Sequence, residues 1–239
     1  MQGGTRWGAV SLFPSMYDRT MTDPATERTR VKRAEEKARY DREVVNEIFD
    51  EALICHVGFI ADGTPFVIPT IHARVGDILY FHGSPASRML RLMKKGAEIT
   101  VTATLLDGIV VARSVFHHSM HYRSAMVFGT ARVVDSPDER LVALEAISNA
   151  ALPGRWSEAR LPSHNEGKGT LVDAVSIEEY SAKVSEEDVG DEEEDYDLPI
   201  WAGVIPLTMT AREVISDDRL LEGVEVPESV QRFIERHGR

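Results

Sequence analysis

The chain has 239 residues, 43% of them hydrophobic and 28% charged, which suits one globular body with extensions. Its net charge of -12 argues against a nucleic-acid partner, because a polyphosphate backbone has to be met by a positive field. No apolar run approaches the roughly 18 residues of a membrane helix, and no apolar leader precedes a small-residue cleavage site, so a cytoplasmic protein with no membrane partner is expected.

Residues 1–28 hold Gly3, Gly4, Pro14 and Pro24 without a clear period and read as a disordered extension. Met21 opens a polar stretch that also reads as a start. Helix formers fill residues 30–51, with Val44, Val45, Ile48 and Phe49 on one helical face. Three strands are then expected in an antiparallel meander: LICHVGFI, a turn at Asp62-Gly63, TPFVIPTIHARV, a turn at Gly76-Asp77, and ILYFHGS. A helix is expected over 85–95, capped by Ser84 with Pro85 at its first position and stopped by Gly96. AEITVTATLL and IVVARSVF read as a second hairpin around Asp107-Gly108, followed by the strand AMVFGTARVV.

Ser136 and Glu139 form a capping box for a helix running to about Ala151. Residues 154–169 read as a polar loop. Two last strands, LVDAVSIEEYSAKV and WAGVIPLTMTAREV, flank an acidic stretch, Glu186 to Asp197, that reads as a solvated loop. The tail from Asp217 is polar, with a short helix around Val230–Ile234. About eight mostly hairpin-connected strands argue for an antiparallel barrel rather than a parallel α/β sheet. Cys55 is the single cysteine; it lies in an apolar run and reads as a small buried hydrophobe, in a chain with no internal disulfide.

One ordered set of segments is specific: CHVGF, DGTPFVIPT, LYFHGSPASRML, VTATLLDGIVVARSVFHHSMHYRSAMVFG, LPGRW and LPIWAGVIPL. Together they resemble the pyridoxamine 5′-phosphate oxidase-like family, in its flavin-nucleotide-binding branch, from about Arg30 to Leu207. The resemblance implies a mainly β fold with flanking helices, a six-stranded antiparallel split barrel. It also implies a homodimer with FMN held in the groove between subunits. The domain would span 29–210 with its acidic loop at 185–197, between the extension at 1–28 and a polar tail at 211–239.

The segment HGSPASRML admits two readings on its residues: an ordinary capped helix with a solvated arginine, or an anion site. A phosphomonoester wants free backbone N–H groups, hydroxyls and a cation together, and Ser84, Ser87 and Arg88 supply them at a helix start. Ser87 and Arg88 match the family's phosphate turn, while Met89 stands where a lysine is usual. His82 directly precedes the turn. The resemblance further implies that Ile68, Pro69 and Thr70 run beside the flavin ring on an edge strand. Tyr122, Arg123 and Ser124 would approach it from another strand, and Trp201 across the dimer.

His117, His118 and His121 have no nearby cysteine or carboxylate in sequence and lie between strands, so a metal site is not expected. The resemblance places them near the flavin or substrate groove. His56 and His72 read as satisfied barrel residues. The implied activity is a flavin-dependent oxidoreductase acting on a small molecule, with no protein nucleophile and with catalytic residues unassigned. The alternatives are a flavin carrier or sensor without turnover, and a haem protein, since some split-barrel relatives bind haem through a histidine.

Overall fold

The computed structural model describes residues 25–238; most of the expected N-terminal extension, and Met21, lie outside the described residues. The first regular elements contradict the expected long helix. Ala34 takes a left-handed conformation (φ 54°) before a 3-10 turn at Glu35–Lys37. Ala38–Arg39 (β1) then pair with Lys183 and Ala182, and α1 covers only Arg42–Glu51. Long-range strand pairing here overrides local helix propensity. The face formed by Val44, Val45, Ile48 and Phe49 is buried as expected.

β2 (Cys55–Ala61) and β3 (Thr64–Thr70) form the expected hairpin. Asp62 and Gly63 both have positive φ (50° and 75°), as a two-residue turn matched to strand twist requires. The third expected strand of that meander does not join it. The chain breaks at Ile71-His72 and crosses to a second sheet as β4 (Ala73–Val75), which pairs with β5 (Ile78–Gly83). The helix α2 (Arg88–Met93) begins three residues later than expected, with Ser87 rather than Ser84 at its N-cap. Ser84 and Pro85 instead belong to a turn closed by Ser87 N–H donating to the Ser84 carbonyl at 2.9 Å, with proline at its favoured second position.

Asp107-Gly108 is not a hairpin turn. β6 runs unbroken from Glu98 to Val111, and its register against β7 (Ser119–Thr130) shifts between Leu106 and Gly108. The glycine at this bulge has a steric reason. β11 (Gly203–Pro206) lies on the other side of β6, and a Cβ on Gly108 would stand 3.2 Å from the Ile205 carbonyl oxygen. β8 (Arg132–Val133) leads to α3 (Pro137–Ala151), capped by the Ser136 hydroxyl. The stretch read as a polar loop contains α4 (Arg155–Glu158) and α5 (His164–Lys168), the latter with a complete Ser163–Glu166 capping box.

LVDAVSIEEYSAKV is likewise two strands in two sheets, β9 (Leu171–Ser176) and β10 (Glu179–Ser185). The last helix, α6 (Glu228–His237), docks on α4 where Ser229 N–H donates to Glu158 at 2.9 Å.

The result is the antiparallel split barrel with flanking helices. One sheet runs β1-β10-β7-β6-β2-β3, with β11 added to β6, and the other β4-β5-β9-β8. Between them α1 and α2 close the main core, in which Phe49, Phe81, Leu79, Leu90 and Val101 are inaccessible or nearly so. A smaller core of Tyr80, Val134, Val172, Ala174 and Ile147 holds α3 to the outer face of the second sheet.

Candidate functional site

The residues expected to hold a flavin fall into two groups. The first is the corner where β3 meets the turn before α2. Among the described residues β3 pairs only with β2, which leaves its other long edge without a strand partner, and its two prolines, Pro65 and Pro69, are tolerated at such an edge because they have no N–H to contribute to a ladder. The exposed Arg88 guanidinium lies 4.5 Å from the centre of the Phe66 ring on this strand, which brings the start of α2 against the strand that carries Ile68, Pro69 and Thr70. The Ser87 hydroxyl makes no capping bond, and Ser84 Oγ accepts only from Ala86 N–H, at 3.2 Å.

The charge pattern here is unlike the rest of the chain. No acidic residue occurs from Ile78 to Ala97, while Arg88, Arg91, Lys94 and Lys95 all do. None of the four has a carboxylate within ion-pair distance among the described residues. In a chain with net charge -12, this is a cationic island along one short helix. Lys94 lies at the far end of α2 from Ser87, so it cannot stand in for the missing lysine at the turn itself.

The second group is Tyr122, Arg123 and Ser124 on β7, with Trp201 just before β11. β6 and β2 separate β7 from β3, roughly 14 Å at ordinary strand spacing. Arg123 is fully engaged within its own chain. It donates to Asp107 through Nε (3.0 Å) and Nη2 (2.8 Å), and to Glu51 through Nη1 (2.5 Å) and Nη2 (2.9 Å). The node ties the end of α1 to the β6 bulge, and hydrogen bonding to Arg123 holds the Glu51 carboxyl below its usual range. Trp201 is exposed and lies over Gly203, where an added Cβ would be 2.9 Å from its ring.

The acidic segment is not a free solvated loop. It forms a strap clamped over the segment from Arg113 to His121, which carries the three histidines. The Asp191 side chain is fully covered and accepts from the backbone N–H of Arg113 (3.0 Å) and Ser114 (3.1 Å) and from the Arg113 guanidinium (3.2 Å). Burial opposes its ionisation, but these donors outweigh that and hold its carboxyl below the usual range. His121 Nε2 meets the Glu187 carbonyl at 2.8 Å, and His117 stands 3.6 Å from Glu192. His118 is exposed, with Nε2 3.2 Å from the Ala112 carbonyl. It follows a turn with exposed Val115 and Phe116 and precedes exposed Met120 at the start of β7.

Three buried titratable groups and the half-buried His82 complete the picture. Burial pushes the Cys55 thiol up to about 12, which leaves it a hydrophobe and no nucleophile. His72 is buried; its Nε2 meets the Phe49 carbonyl at 2.8 Å, and burial lowers its pKa. Nδ1 of His72 and Nδ1 of His82 have no hydrogen-bond partner, and burial lowers His82 as well. Asp173 is wholly inaccessible and neither carboxylate oxygen has a partner among the described residues; burial pushes it up to about 7, with Lys94 acting to lower it. Sequence reasoning passed over Asp173, although a lone acid inside the apolar strand LVDAV was a visible signal. The Asp191 clamp had no such signal, being one acid among many.

Comparison with known proteins places the fold. The family model described as pyridoxamine 5′-phosphate oxidase matches residues 41–184. The structure of the flavocytochrome Anf3 from Azotobacter vinelandii is 37% identical and superposes with a TM-score of 0.82, covering 87% of this chain and 98% of that one. The FAD and heme binding protein from Mycobacterium smegmatis is also 37% identical, with a TM-score of 0.79 over 82% of this chain and 96% of that one. No curated protein matches.

Proposed function

This chain belongs to the pyridoxamine 5′-phosphate oxidase family, and we propose that it is a flavin-binding oxidoreductase whose cofactor is FAD, acting on a small molecule. The observation that carries the reading is the unpaired cationic island of α2 beside the free edge of β3. Arg88 and the Ser84 and Ser87 hydroxyls would take the phosphate nearest the flavin. The backbone of Ile68, Pro69 and Thr70 would lie against the ring. FMN is the simpler expectation, but its phosphomonoester concentrates nearly two charges at one turn, where Met89 leaves a single cation. The diphosphate of FAD spreads its charge, as the cations of α2 are spread, and one relative at 37% identity is described as binding FAD and heme.

A bound flavin supplies hydride and single-electron transfer, and the protein supplies orientation and electrostatics. The separation of the two residue groups supports a homodimer. A flavin against β3 of one copy would meet Tyr122, Arg123, Ser124 and Trp201 of a second. In that arrangement Arg123, already balanced by Glu51 and Asp107, acts as a fixed strut rather than as a free positive charge.

An absorbance spectrum of the desalted protein, with titrations of FAD and FMN, tests the reading. Arg88→Ala should weaken FAD binding by about 2 kcal/mol, roughly thirtyfold, through loss of a charge-assisted phosphate contact. Unchanged affinity in a folded variant would remove Arg88 from the site, and tighter binding of FMN than of FAD would reverse the choice of flavin.

A second cofactor is favoured by one observation. A metal-ligating imidazole commonly donates its other N–H to a backbone carbonyl, and His118 alone combines such a bond with exposure beside apolar Phe116 and Met120. Haem bound there should give a Soret band that His118→Ala abolishes while the flavin bands persist. A band that survives the substitution assigns the iron elsewhere.

A further inference from the structure

We propose that Asp173 sets the pH range over which the chain holds its flavin: as a carboxylate beneath α2 it opposes the cofactor's phosphates, and as the neutral acid it does not. The inference rests on the flavin reading above and adds its regulation. β9 brings Asp173 opposite Phe81 of β5 and Val133 of β8, on the face of the sheet that α2 covers. Two residues earlier on the same strand, Leu171 pairs with Gly83 at the mouth of the phosphate turn. That spacing places the carboxyl roughly 10 Å from the turn, through protein rather than solvent.

The groups around it are few. On α2, Lys94 is the charge that acts on Asp173, and Arg88 and Arg91 lie further along the same helix, both exposed. β5 and β8 present Phe81 and Val133 beside it, and β7 comes nearest to β9 at the uncharged Gly129, against Val175. His82, Arg132 and Glu139 belong to the opposite face, where Arg132, Glu139 and Tyr80 bond one another.

An inaccessible carboxyl without a single hydrogen bond is destabilised as the anion and tolerated as the acid. Its folded-state pKa of about 7 puts the change within the working range of most cells. One unit charge at this distance, at an effective dielectric of about 20, alters the affinity of an anion about tenfold.

FAD is the probe for the test, because its diphosphate does not change charge between pH 5.5 and 8.5. Fluorescence titrations across that range at fixed ionic strength should show the wild-type protein losing about tenfold in FAD affinity as pH rises. Asp173→Asn should bind at the tight level throughout, and Asp173→Ala should do the same if the effect is one of charge. A pH slope that persists in both folded variants, or a wild-type protein that binds FAD equally at every pH, overturns the role of Asp173 and leaves the flavin reading standing. Failure of wild type and variants alike to bind FAD at any pH overturns both.

Discussion

Asp173→Asn should make the protein more stable at pH 8 by about 2–4 kcal/mol and leave it nearly unchanged at pH 4, because a carboxyl held at about 7 rather than near 4 is costly to ionise in place. Between those limits the folded wild-type chain retains a proton that the unfolded chain has released. This group's contribution is therefore full below about pH 4, declines as pH rises and levels off above about 7. His72 works in the opposite sense. Burial lowers its pKa, so as pH falls below its ordinary value the unfolded chain takes up the proton first, and stability is lost on the acid side. The difference between wild type and Asp173→Asn cancels His72 and isolates the carboxyl. Urea denaturation at pH 4, 6 and 8 reads it directly, and a difference that does not grow with pH would show Asp173 to be solvated or paired in solution.

Arg123→Ala should cost about 2 kcal/mol, because it leaves Glu51 and Asp107 facing one another without the cation that joins them. Arg123→Lys should recover only part of this, since an ammonium cannot grip two carboxylates in parallel as a guanidinium does. Denaturant midpoints give the totals. Amide exchange at the end of α1 should locate the loss, because Glu51 is the last residue of that helix. Unchanged stability in Arg123→Ala would mean that solvent serves the two acids as well as the arginine does.

The fold was legible where a local signal and the tertiary solution coincide. The Asp62-Gly63 turn, the apolar face of α1 and the Ser136 cap are each set by residues within a few positions of one another. Strand partners were less visible, because hydrophobic alternation looks the same whichever sheet a strand joins. Ile71-His72 and Ile177-Glu178 therefore looked like mid-strand positions, although the chain changes sheets at both. Asp107-Gly108 carried a hairpin's sequence but serves as a bulge, since the approach of β11 appears in no local window. The helix after Ser84-Pro85 was legible, but three residues out of register, because the proline sits in a separate turn before it. The partners of Arg123 lie 16 and 72 residues away, beyond what spacing can reveal.

The placement of the late strands bears on how the chain acquires its shape. β10 lies between β1 and β7, and β9 between β5 and β8, so both sheets are filled by strands made after most of the chain. As the polypeptide leaves the ribosome, β5 and β7 each wait with one side open until β9 and β10 arrive. Such a topology, dominated by pairings between distant residues, folds in milliseconds to seconds rather than microseconds, and leaves open strand edges that can recruit other chains meanwhile. Truncation before Leu171 would thus remove an interior strand from each sheet, not a terminal ornament, and nascent chains stalled there should be the form that aggregates.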